Sequence, residues 1–161
     1  MKFNTNKEKG NTGLGIAIAY YTANGYIVSV PLNDTQDYDL IVDKNNKIFK
    51  VQLKATSCKT KYGIYQVALK SCGGTKGKTY KTIVKTNIDE IFIVTDNIDI
   101  YIIPIEKINN YSTLNLCEKY INYNVKKKNC NKNVIQIRYN LNQIITIVKY
   151  PSFWYNDDCD N

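Results

Sequence analysis

With 161 residues the chain can bury a substantial core, and we take 1–161 as one domain. Its 22 Lys and Arg against 14 Asp and Glu leave a net charge of +8, the balance expected of a protein that meets a polyanion, most commonly nucleic acid. There is no histidine, which excludes His-metal nucleases, Ser-His-Asp hydrolases and histidine general bases.

Residues 1–9 carry no apolar core of a signal peptide. No run of about 18 apolar residues occurs, so no membrane helix is implied. An intracellular protein without a membrane partner is expected. A helix is expected over 8–24, with Ile16, Ala17, Ala19, Tyr20 and Ala23 as its apolar stripe and Asn24-Gly25 as its stop. Gly10, Gly13 and Gly15 weaken its first turns. They either delay the helix start or let its backbone approach something closely.

Residues 26–30 read as a strand ended by Pro31, and 32–37 as a polar loop. A hairpin follows. Residues 38–42 are β-branched and aromatic, and Asp43-Lys44-Asn45-Asn46 supplies a turn whose asparagines tolerate positive φ. Ile48, Phe49, Val51 and Leu53 carry the return strand. Strand side chains alternate, so Lys50, Gln52 and Lys54 share one face, with Asp39 across the hairpin from its far end.

Residues 55–61 are polar and include Lys59 and Lys61; 63–70 read as a strand. Residues 71–79, with Lys76 and Lys78, look like a phosphate loop. However, Gly73 and Gly74 stand at the wrong distance from Gly77-Lys78-Thr79, and no amphipathic helix follows. A basic loop near DNA is the better reading. Two apolar strands, 87–95 and 99–105, flank the turn Asp96-Asn97-Ile98. A short helix is expected over 114–123, a basic run over 123–132 and a strand over 134–139. Residues 141–149 are ambiguous between helix and strand, and the aromatic tail 151–155 is expected to pack on the core. The five cysteines form no Cys-x-x-Cys pair, which argues against a zinc ribbon and for free thiols.

A carboxylate, an amide and an ammonium thus converge on one hairpin. Asp39 and Asp37 could simply cap a turn, and Gln52 and Lys54 could decorate a solvated face. Taken together, Asp39 and Gln52-Leu53-Lys54 resemble the active-site hairpin of the PD-(D/E)XK nuclease superfamily. There an Asp on one strand is followed by an acid, an apolar residue and a Lys on the next. Gln replaces the acid here, as in the superfamily's small endonucleases associated with group I introns. The resemblance extends to a first helix at 10–25, strands at 25–31 and 38–42, and a strand pair at 89–105 that ends in Tyr101-Ile102-Ile103-Pro104-Ile105.

The resemblance implies an α/β, restriction-endonuclease-like core: a mixed β-sheet flanked by helices. It implies a Mg²⁺-dependent DNA endonuclease of homing type, with Mn²⁺ as substitute. Asp39, the Gln52 side-chain oxygen and the Leu53 carbonyl would be the metal ligands. Lys54 would orient or deprotonate the attacking water. Glu8 is the candidate first-helix acid because it is the only acid in residues 1–33, although that acid usually falls nearer the positions of Asn11 and Leu14. Lys59, Lys61, Lys76 and Lys78 would meet the backbone of double-stranded DNA. Two strands need two active sites, so a homo-oligomer, dimer or tetramer, is expected. Three alternatives stay open: a Holliday-junction resolvase or restriction-type nuclease, an inactive nucleic-acid-binding module of the same fold, and an unrelated basic scaffold.

Overall fold

The computed structural model describes residues 5–33, 35–73, 79–81, 87–109 and 112–126. Lys76, Lys78, the strand expected at 134–139, residues 141–149 and the aromatic tail lie outside them.

Helix α1 spans Asn6–Ala23. It starts earlier than its apolar stripe suggests because Thr5 and Glu8 form a capping box. The Glu8 N–H donates to Thr5 Oγ1 at 3.1 Å, and the Thr5 N–H donates to Glu8 Oε2 at 3.2 Å. Two amides that a helix start leaves without intrahelical partners are satisfied in this way. The helix stops at Asn24, where Gly25 takes φ +76°. Its buried face is Gly13, Ala17 and Tyr21, spaced four apart; Ala19 and Ala23 are exposed, so the stripe is rotated from the expected one.

Among the described residues nine strands follow: β1 (Ile27–Ser29), β2 (Leu40–Asp43), β3 (Ile48–Thr56), β4 (Gln66–Ala68), β5 (Ser71–Gly73), β6 (Thr79–Lys81), β7 (Glu90–Thr95), β8 (Ile100–Pro104) and β9 (Thr113–Asn115). The main sheet runs β1-β2-β3-β7-β8. Only β3 and β7 pair in parallel; the other neighbours are antiparallel. The sheet is therefore mixed. The β2–β3 turn is as expected, with Asn45 at φ 56° and Asn46 at φ 67°. All six residues of β7 are buried, because both faces of the sheet are covered.

One face packs on α1 through Ala17, Tyr21, Leu40, Val51, Phe92 and Val94. The other is covered by the two-stranded β4-β9 pair and the 3-10 turn Glu118–Tyr123, through Val67, Leu69, Ile91, Ile93, Leu114 and Tyr120. Among the described residues α1 is the one α-helix that flanks the sheet. The helix expected over 114–123 is thus β9 plus a 3-10 turn. Leu114 pairs with Val67 of β4, and that distant partner decides its conformation. The strand expected over 63–70 is shorter, and the loop expected over 71–79 begins and ends in the hairpin β5-β6. Among the described residues no helix is long and apolar enough to cross a membrane.

Gly13 sets how closely α1 approaches the sheet. A Cβ there would stand 3.3 Å from Ala55 Cβ and 3.5 Å from Val94 Cγ1. Gly13→Val should therefore push the helix off and lower stability by about 1–3 kcal/mol. Thermal denaturation checks this, and an unchanged Tm would show that the seam yields freely.

Candidate active site

The site forms where β2 begins beside the middle of β3. The register Leu40↔Val51 sets Asp39 opposite Gln52. The Asp39 N–H donates to the Val51 carbonyl at 2.9 Å, so the ladder continues one residue past the strand. Then it changes character. The Leu53 N–H donates to Asp39 Oδ2 at 2.6 Å, and a carboxylate stands where a strand carbonyl would otherwise be. The N–H and C=O of one strand residue point to the same side. The Leu53 carbonyl therefore faces the edge that holds the Asp39 carboxylate.

Gln52 and Lys54 are not surface ornaments. They lie on the sheet face that β4-β9 partly covers, and both are half-buried. Burial pushes the Asp39 carboxyl above its ordinary pKa, against the opposing pull of the Leu53 N–H and the Lys54 charge. Burial likewise lowers the Lys54 ammonium, and the Asp39 carboxylate opposes that shift. Each is thus the other's partial compensation. Gln52 Oε1 is buried and has no hydrogen-bond partner among the described residues. Asp43 Oδ1, at the other end of β2, is the second such atom.

A cavity of about 720 Å³ opens beside Asp39. Helix α1 contributes Gly10, Asn11 and Leu14, the loop after β1 contributes Leu32 and Gln36, and the strands contribute Asp39 and Leu53. Of these wall residues the sequence already points to Asp39, Leu53, Gly10, Asn11 and Leu14, with Asn11 and Leu14 only as positions where an acid is wanted. Leu32 and Gln36 are the walls it misses.

Glu8 does not line this cavity. Its carboxylate is the acceptor of the capping box described above, and the Thr5-x-x-Glu8 spacing was the readable sign of it. The helix residues that share the cavity with Asp39 are Gly10, Asn11 and Leu14. Lys59 lies over the Tyr65 ring at 4.5 Å and Lys61 over Tyr62 at 4.9 Å, both on the exposed segment after β3. The Tyr65 hydroxyl donates to Asp96, which ties that segment to the β7–β8 turn.

No cluster of three or more acidic, cysteine or histidine side chains exists among the described residues. The oxygen donors are one carboxylate, one amide and one backbone carbonyl. Such a hard, all-oxygen set suits Mg²⁺ or Mn²⁺ and is a poor set for zinc. Gln52 and Lys54 do not line the cavity beside Asp39, but the orphaned oxygen of Gln52, the residue that the register sets across from Asp39, fits a bound cation, because burying an amide oxygen without a partner is otherwise unfavourable.

The family model described as PD-(D/E)XK endonuclease matches residues 4–144. Among solved structures, a bacterial homing endonuclease, I-Ssp6803I, is similar, with 23% identity and a TM-score of 0.60 over 76% of this chain and 88% of that one. No curated protein matches. The mixed sheet with its flanking helix is the restriction-endonuclease-like α/β core that the hairpin implied.

Proposed function

This chain belongs to the PD-(D/E)XK endonuclease family, and on that premise we propose that it is a divalent-metal-dependent endonuclease that hydrolyses phosphodiester bonds of double-stranded DNA. The observation that supports it most is the buried, unpartnered Gln52 Oε1 opposite Asp39. Asp39, Gln52 and the Leu53 carbonyl would hold Mg²⁺ or Mn²⁺. When bound, the cation supplies charge relief at the phosphate and a more acidic water.

The rest is work for the chain's own residues. The Leu53 N–H fixes the Asp39 carboxylate and keeps one of its oxygens oriented. The Lys54 ammonium offsets negative charge on the phosphate and holds the attacking water, and its lowered proton affinity suits proton transfer at Nζ. The half-buried surroundings disfavour each charge alone but strengthen the attraction between them, and of Lys54 for a phosphate, by excluding water. Cleavage of both strands calls for two copies, in line with a homo-oligomer.

The test is conversion of supercoiled plasmid to nicked and linear forms. It should proceed in Mg²⁺ or Mn²⁺ and stop in EDTA. Gln52→Glu adds a second carboxylate, so it should lower the Mg²⁺ concentration for half-maximal nicking by on the order of tenfold. Nicking that persists in EDTA would sink the metal-dependent reading. Firm duplex binding without nicking on any plasmid, by native and Gln52→Glu protein alike, would point to the binding-module alternative.

A further inference from the structure

We propose that the sugar–phosphate backbone of the bound strand crosses α1 at Gly10, so that two neighbouring cavities act as one cleft. The first, beside Asp39, takes the scissile phosphate. The second takes the adjacent phosphate. This rests on the nuclease reading above.

The second cavity, about 360 Å³, lies past the far end of β3. Its polar walls are Asn6, Lys9, Thr56, Gln66 and Thr113. Lys9 brings a positive charge there, with its Nζ donating to Ser57 Oγ at 3.0 Å. The first turn of the 18-residue helix α1 adds the positive end of its dipole. These groups suit a phosphate and its sugar better than a base. Gly10 is the residue that both cavities share.

The helix glycines separate into different cases. Gly13 is required by packing, as shown above. Gly10 is not: a Cβ there would meet nothing within 4 Å. Its φ is not positive either, since Gly25 and Gly63 are the described glycines in that region. Glycine in a helix interior is unfavourable, so neither packing nor conformation accounts for it. The space above it does, if something must pass closely over the backbone. Gly15 is equally open but lines neither cavity, and nothing in the structure requires glycine there. It is the internal control.

Gly10→Ala, Gly10→Leu, Gly15→Ala and Gly15→Leu should all fold, with Tm held or raised by about 2–4 °C through better helix propensity. Binding of a fluorescein-labelled random-sequence duplex, read by anisotropy at low salt, should then separate them. Gly10→Leu should weaken binding at least about tenfold, Gly10→Ala about two- to threefold, and the Gly15 variants less than twofold. Higher Tm with lost affinity is an outcome that a merely structural role of Gly10 does not produce. Native-like binding by Gly10→Leu, or an equal loss in Gly15→Leu, overturns the crossing point while leaving the nuclease reading intact. A native chain that neither binds nor nicks DNA removes the reading itself, and the crossing point with it.

Discussion

Lys54→Ala is expected to slow plasmid nicking by roughly 10²–10³-fold while leaving the fold and duplex binding in place. Lys54 is half-buried on a covered face, its charge disfavoured by desolvation and supported by Asp39. Removing it takes away a cation outside the apolar core, and the Asp39 carboxylate keeps the Leu53 N–H as its partner, so the loss of stability is modest. What is lost is the charge and the proton-carrying group beside the Asp39 carboxylate. Lys54→Arg should not restore the rate, because a guanidinium does not give up its proton and cannot place one compact ammonium. Asp39→Asn is the matched test from the other strand. An Asn side-chain oxygen still accepts the Leu53 N–H, so the β2–β3 junction survives, but the carboxylate charge is gone. Its nicking should fall at least as far. Nicking that survives both substitutions would place the chemistry away from this hairpin, or in a contaminant.

What could be read from the sequence follows the range of the forces involved. The β2–β3 hairpin was legible because its determinants are local: alternation along the strands, and two asparagines that accept positive φ. The pairing of β7 with β8 was legible for the same reason. Its turn residue Ile98 does sit at φ 59°, a strained choice that the flanking apolar strands impose. The conformation of Thr113–Asn115 was not legible, because β4 supplies its partner from 47 residues away (Leu114 against Val67). Gln52 and Lys54 were placed on the correct strand face. Their burial could not be read, since it comes from β4-β9, which covers that face only in three dimensions. Glu8 shows the opposite failure. The capping box is a local motif, readable in the Thr5-x-x-Glu8 spacing, and it engages the Glu8 carboxylate at the helix start.

The same limit hid a buried ion pair that carries the largest expected stability effect. Glu90 is 6% exposed at the start of β7. It accepts the Tyr21 hydroxyl at 2.8 Å and Lys44 Nζ at 2.5 Å. Lys44 reaches it from the hairpin turn, across the rings of Phe49 at 4.4 Å and Tyr21 at 5.2 Å. Three elements, α1, the β2–β3 turn and β7, therefore meet at one carboxylate. Burial, and next the Glu90 charge, push the Tyr21 hydroxyl far above its ordinary range, so it stays a donor at every relevant pH. Glu90→Ala leaves a part-buried ammonium and a buried hydroxyl without their acceptor. Such broken pairs lose about 3–5 kcal/mol, or roughly 6–20 °C of Tm in a chain of this size. Thermal and urea unfolding measure it. The double variant Glu90→Leu with Lys44→Met should recover much of that loss, because it removes both charges and returns apolar volume to an aromatic site. If Glu90→Ala loses less than about 1 kcal/mol, the pair is a surface-like contact and does not hold the hairpin. If the single variant is severe and the double variant equally so, the damage lies with the Tyr21 hydroxyl, and Tyr21→Phe in the Glu90→Leu background should then restore stability.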